Sequence, residues 1–244
     1  MSGTMNLIID GKEIVAELGQ TIMQAADAAG IYIPRLCAKE ELHPYGGCRI
    51  CSVKINGRYQ AACTQPAGDG MIVDNNTEEV MHFRRNVLEM LFVEGNHFCM
   101  FCEKSGNCEL QAVAYRFGIT ASKYPYLFPV RAVDASHPDI YIDHNRCIQC
   151  ARCIRASLEL DGKNVFQMVG RGPHMHVGIN APGKLSETNM EIADKAAAIC
   201  PVGAIIRKRV GYQVPVGERK YDHKPIGSEI EARQGQAKRP AGAR

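Results

Sequence analysis

Eleven cysteines gathered into three groups constrain this 244-residue chain more than any other feature. An odd number cannot all close into intramolecular disulfides, and the opening residues, Met1 to Gly11, lack a basic stretch followed by an apolar core, so a secreted disulfide scaffold is not expected. No run of about 18 apolar residues occurs, which removes direct membrane insertion from the expectations. The expected compartment is cytoplasmic and reducing, where thiols stay free to hold metal.

The first group is Cys37, Cys48, Cys51 and Cys63, spaced Cys-x10-Cys-x2-Cys-x11-Cys. Four thiolates suit a 2Fe-2S cluster, with two sulfur ligands per iron, and the loop between Cys37 and Cys48 is longer than the plant-type spacing. Gly46 and Gly47 would let backbone approach cluster sulfides. The second group, Cys99, Cys102 and Cys108, is one ligand short of a closed four-ligand site, and His97 is the candidate for the fourth place. The third joins Cys147, Cys150 and Cys153 to Cys200-Pro201, the bacterial 4Fe-4S signature with its Cys-Pro partner. A second cubane is not expected beside it, because position 157 is Ser157 and the places before Cys200 hold Ala196, Ala193 and Met190. Zinc is an equally legal occupant of four cysteines alone, so a zinc-stapled interaction scaffold is the rival of a different class.

The groups coincide with three regions of an α+β chain. Two apolar runs around Asp10-Gly11 predict a hairpin, and Thr21 with Gln24 predicts a capped helix ending near Gly30. Arg49 to Ile55 and Arg58 to Ala62, around Asn56-Gly57, predict a second hairpin, an order that suits a β-grasp domain over 1–76. A helix is expected from Thr77 to Glu94 and another over Glu109 to Phe117, giving a small helical domain over 77–130 that closes with an extended connector, Tyr124 to Pro129. Region 131–206 is expected to mix strands (Ile140 to Ile142, Val165 to Val169, His176 to Ile179) with a helix through Glu191 to Ile199. Residues 207–244 carry ten Lys/Arg against four Asp/Glu and read as a basic, partner-docking tail with little core of its own.

What is missing narrows the function. There is no Gly-x-Gly-x-x-Gly after a strand and no Gly-x4-Gly-Lys-Ser/Thr, so NAD and FMN are expected in a partner rather than here. No nucleic-acid-binding motif and no Trp accompany the basic tail, so nucleic acid is not an expected partner. His43, His82, His144, His174 and His176 are read as ordinary side chains, and Met81, Met90 and Met100 as core or shielding residues.

With these motifs placed, the chain resembles the iron–sulfur small subunits of the diaphorase part of NAD-reducing nickel-iron hydrogenases. The resemblance runs through Tyr32-Ile33-Pro34, Cys48 to Val53, Glu94 to His97, Glu103 to Gly106, Cys108 to Val113, Tyr124 to Tyr126, Phe128 to Arg131, Asp143 to Cys153, Ala198 to Gly203 and Lys208 to Tyr212. The same module is similar to the N-terminal part of the large NADH-dehydrogenase subunit of complex I and to modules of NAD-linked formate dehydrogenases and iron-only hydrogenases. It implies a 2Fe-2S cluster on the first group, a 4Fe-4S cluster on His97, Cys99, Cys102 and Cys108, and a second 4Fe-4S cluster in a ferredoxin-like domain on Cys147, Cys150, Cys153 and Cys200. In the complex I and iron-only versions the histidine usually stands four residues before the first cysteine; Gly95 holds that place here, so ligation by His97 requires a tightened loop. The implied function is a relay of single electrons between an FMN/NADH-binding diaphorase subunit and the small and large nickel-iron hydrogenase subunits, H2 + NAD+ ⇌ NADH + H+, with no substrate site of its own. The nearest rival is the same relay in a formate dehydrogenase or a complex I-like dehydrogenase.

Overall fold

The computed structural model describes residues 3–235. Strands β1 (Thr4–Ile9) and β2 (Lys12–Glu17) pair antiparallel through a turn in which both Asp10 and Gly11 take positive φ. Helix α1 (Ile22–Ala28) starts with the predicted capping box and buries Ile22, Met23, Ala25 and Ala26. β3 (Ser52–Ile55) and β4 (Arg58–Ala61) close on Asn56-Gly57, with β3 starting three residues later than expected because Arg49 adopts a left-handed conformation between Cys48 and Cys51. A strand the sequence did not announce, β5 (Ile72–Asp74), lies between β1, to which it is parallel, and β3, giving the order β2-β1-β5-β3-β4. Its three residues are too few to show an alternating pattern.

α2 (Glu78–Val93) is capped by Thr77 and pinned to this sheet by a buried cation: Arg84 donates to the Ser52 carbonyl at 3.1 Å and to the Asn75 carbonyl and amide oxygen at 2.8 Å. α3 (Glu109–Arg116) begins immediately after Cys108. Beyond it come β6 (Val133–Asp134), β7 (Ile140–Asp143), α4 (Arg152–Glu159), the hairpin β8 (Phe166–Val169) with β9 (His176–Ile179), α5 (Lys195–Ala198), β10 (Ile205–Arg207) and α6 (Ser228–Glu231). β7 is the centre of a sheet ordered β10-β7-β6. The helix expected over Glu191 to Ile199 is only the four-residue α5, because Asp194 turns the chain just before it by accepting from the Glu191 N–H. α4 was not foreseen, since its cysteine and arginines sit where an apolar stripe would be sought.

Two cores form. One lies under the β-grasp sheet, around Leu7, Ile9, Ile22, Val53 and Val73. The other is shared: Leu36 and Ile50 from the first region, Leu88, Leu110 and Val113 from the second, Ile140, Phe166 and Val202 from the third, and Ile226 and Ile230 from the tail. The expected division at 130/131 therefore does not separate two cores. The described part of the tail, 207–235, lies against its own chain: the Tyr221 N–H donates to the Gly106 carbonyl at 3.0 Å, Arg116 pairs with Glu231, and the Gln234 amide reaches the Gly30 carbonyl at 2.8 Å. Apolar Ile226 and Ile230 attach it to the shared core, a contact its charge does not announce. The last nine residues of the expected docking tail lie outside the described residues.

Candidate iron–sulfur centres

The first group is assembled by loops at one end of the β-grasp sheet. Cys37 follows α1, Cys48 and Cys51 precede β3, and Cys63 follows β4; all four are buried and free. The sulfurs touch one another, Cys37 with Cys48 and Cys63, and Cys51 with Cys63. The Cys37 N–H points at the Cys48 sulfur at 3.4 Å. The Cys48 and Cys63 thiols donate to Cys37 and hold it down as the thiolate, while that contact and burial push their own values up. Such a set holds protons that a bound metal would displace. Of the two glycines, Gly46 is the one whose positive φ is required; the space beside Gly47 is filled by the Tyr45 ring.

The second group comes together where α2 ends. Gly95 follows α2, and the Cys99 N–H bonds back to the His97 carbonyl at 3.0 Å, which tightens the loop between them. His97, Cys99, Cys102 and Cys108 line one recess of about 330 Å3. The His97 ring packs on Phe92 and faces the Leu91 carbonyl, while its Nε2 is buried with no hydrogen-bond partner. Burial depresses this histidine to about 4, so the ring is a neutral imidazole whose free nitrogen is an acceptor, the state in which histidine ligates iron. Burial also drives Cys108 up to about 12. A thiol in that state is a poor nucleophile, and a metal bound there would have to displace its proton.

The third group curls around a recess of about 400 Å3 walled by Ile142, Val177, Val202 and Ile205. Its Cys-x2-Cys-x2-Cys loop places Gln149 and Ala151 in the left-handed region at φ 52° and 55°, a conformation that costs non-glycine residues energy and here turns the backbone about the sulfurs. The Gln149 N–H points at the Cys147 sulfur at 3.4 Å. Burial pushes Cys147 up to about 11 and raises Cys153 as well.

Residues the motif reading missed join the groups. Arg155 donates to the Cys37 carbonyl at 2.6 Å and to the His43 carbonyl, tying the third region to the first. Arg152 reaches both neighbours, donating to the Ala38 carbonyl and to the Glu109 carboxylate. Arg146 approaches the Cys102 sulfur at 3.6 Å and pairs with Glu103. The only sequence signal was their position, each within two residues of a third-group cysteine. His144 lines the third recess alongside the cysteines and packs against the His176 ring, its Nδ1 buried without a hydrogen-bond partner.

Three family models fall on the three regions in turn: a 2Fe-2S iron-sulfur cluster binding domain over residues 2–78, the NADH-ubiquinone oxidoreductase-G iron-sulfur binding region over 84–123, and the ferredoxin-like domain of NADH-quinone oxidoreductase subunit 3 over 137–206. Fold and site together define a multi-domain iron–sulfur protein of mixed α+β architecture. The gamma subunit of the HoxS NAD-reducing hydrogenase of Cupriavidus necator is 42% identical over 220 residues, 90% of this chain and 94% of the relative, and the chain belongs to that family. A solved structure of an NAD+-reducing NiFe hydrogenase in the H2-reduced state matches at a TM-score of 0.89 and 45% identity, over 93% of this chain and 99% of the other. The 78 kDa subunit of mitochondrial NADH-ubiquinone oxidoreductase from Candida albicans is 32% identical, and there the match spans only 30% of the larger protein.

Proposed function

We propose that this chain is the electron-relay subunit of an NAD-reducing nickel-iron hydrogenase, holding one 2Fe-2S cluster on Cys37, Cys48, Cys51 and Cys63 and two 4Fe-4S clusters, on His97 with Cys99, Cys102 and Cys108, and on Cys147, Cys150, Cys153 and Cys200. Bound clusters would supply one-electron redox chemistry. The supporting observation is that all twelve candidate ligands are gathered into three sets whose loops are bonded to one another. Arg155 joins Cys37 to the third region, Pro201 and Gly203 of the third lie against Glu109 and Cys102 of the second, and Arg84 of α2 joins the second to the first at Ser52.

The chain's own residues supply insulation and tuning. Apolar walls exclude water from the third recess, N–H groups aimed at Cys48 and Cys147 favour added negative charge, and a neutral imidazole in place of one thiolate makes the second site less negative. Phe98, Met100 and Phe101, all exposed beside Cys99 and Cys102, fit that end to a partner surface. The partners in this reading are an FMN/NADH-binding diaphorase subunit and the small and large nickel-iron hydrogenase subunits, supported by the relatives' names. Two-electron hydride chemistry belongs to the flavin-bearing partner, so this chain transforms no substrate.

The test is iron, acid-labile sulfide and zinc content of anaerobically purified protein, followed by electron paramagnetic resonance after reduction. About ten irons and ten sulfides per chain are expected from one 2Fe-2S and two 4Fe-4S clusters. Stoichiometric zinc without sulfide would replace the relay with the zinc-stapled scaffold. Co-purifying nickel supports the hydrogenase assembly over a formate dehydrogenase or complex I-like one.

A further inference from the structure

Arg152 is 1% exposed, among the most buried large side chains of the molecule. It stands immediately before Cys153 and two residues after Cys150. Its Nη1 donates to Glu109 Oε1 at 2.9 Å and its Nη2 to Glu109 Oε2 at 2.7 Å, a bidentate pair with the residue that follows Cys108. The same Nη2 donates at 3.0 Å to the carbonyl of Ala38, the residue that follows Cys37. One guanidinium carried by the third group's loop thus bonds to a neighbour of a ligand in each of the other two groups. Its Nε–H is buried and has no protein acceptor.

A buried arginine paired to one carboxylate is a poor device for stability alone, because taking both charges out of water costs about as much as their attraction returns. A fixed charge pair among redox centres has a second consequence. Reduction adds negative charge, so a nearby cation stabilises the reduced form and raises the potential, and an anion does the reverse.

We propose that Arg152 is a positioning residue of the relay: its guanidinium fixes the three ligand loops at one junction, and, balanced by Glu109, it sets the potentials of the clusters on either side, with its free Nε–H available to sulfur of the third cluster. The inference rests on the three-cluster reading above. It gives the Arg152–Glu109 pair a role that packing does not require, since a hydrophobic side chain would fill the same space.

The experiment uses the full chain loaded with its clusters, titrated redox-potentiometrically and read by electron paramagnetic resonance, for wild type, Arg152→Gln, Arg152→Lys, Glu109→Gln and the double Gln variant. Arg152→Gln removes the cation and leaves Glu109 unpaired, so the third cluster should become harder to reduce, by about tenfold in its redox equilibrium or about 59 mV for one electron. Glu109→Gln should move it the opposite way, the double variant should return most of the shift, and Arg152→Lys should keep the potential while weakening the magnetic interaction between clusters. Should Arg152→Gln fail to load clusters, the opposite-sign shift in Glu109→Gln still decides the matter. Full iron content with unmoved potentials in Glu109→Gln and unchanged cluster–cluster interaction in Arg152→Lys overturns the proposal; a wild-type chain without iron and sulfide overturns the relay reading instead.

Discussion

The backbone N–H of Glu109 donates to the carbonyl of Pro201 at 2.8 Å, so the residue after Cys108 is bonded directly to the residue after Cys200. The second and third ligand groups are therefore held together through backbone as well as through Arg152. Two residues further on, Gly203 is pressed against the second group so closely that a Cβ there would stand 2.6 Å from the Cys102 sulfur.

Gly203→Ala follows from that contact. A methyl group cannot share the space with a sulfur, so the Cys102 side chain or one of the two loops must shift. The expected result is partial or complete loss of the second cluster's signal, with the first cluster's spectrum unchanged and a loss of about 1–3 kcal/mol in stability from overpacking. Iron content with reduced-state spectra checks it; a fully loaded second site in the variant would show that the loop yields.

His97→Cys tests the fourth ligand of the second group. The thiolate adds negative charge where a neutral imidazole stood, so a retained cluster should become harder to reduce. An unchanged potentiometric titration removes His97 from the ligand set.

Both hairpins, the capping box of α1, the span of α2 and the grouping of all eleven cysteines were legible because each rests on local chemistry: Asx-Gly turns, a Thr/Gln reciprocal cap, apolar periodicity, fixed Cys spacing. The parallel pairing of β5 with β1 was not, since it joins Ile8 to Ile72 by a long-range contact that three residues cannot encode. Arg152 and Arg155 were hidden for a related reason. Arginine reads as surface, and only the fold shows that the carbonyls of Cys37 and Ala38 and the Glu109 carboxylate wait to receive them. The packing of 207–235 on its own chain was not legible from its charge, because the apolar contact is carried by Ile226 and Ile230 within a mixed-charge segment.

Acid should loosen the turn at 215–222. Asp222 accepts from the Gly217 and Arg219 N–H groups, and the Arg219 guanidinium beside it holds its carboxyl down at about 2, below the ordinary 3.8. A carboxyl depressed in the folded state stabilises above its unfolded value and loses that contribution as pH falls through the folded one. The window is therefore from about pH 3.8 down to about pH 2. Hydrogen exchange at the Tyr221 amide, which is bonded to the Gly106 carbonyl, should quicken across it, and Asp222→Asn should remove the pH dependence. An unaltered exchange profile in that variant would assign the turn's order to other contacts.

The tail's grip on Tyr32 gives the last prediction. Gly227 adopts φ +93°, and a Cβ there would enter the Tyr32 ring, which is also flanked by the guanidinium groups of Arg35 and Arg116. Gly227→Ala combines a left-handed conformation with a clash against a buried aromatic ring flanked by two guanidinium groups, so α6 is expected to lift off rather than adjust. The cost is bounded by what the tail contributes. Burying Ile226 and Ile230 is worth about 1.5–3 kcal/mol each, and lifting α6 also breaks the Arg116–Glu231 pair. The expected outcome is a loss of about 2–4 kcal/mol in chemical unfolding, together with rapid proteolysis within 224–235, while iron and sulfide content stay at the wild-type level because no candidate ligand lies beyond Cys200. Ile230→Ala should show the same proteolysis at a smaller cost. Wild-type protection of 224–235 in Gly227→Ala would mean that Tyr32 repacks and that the tail is held elsewhere.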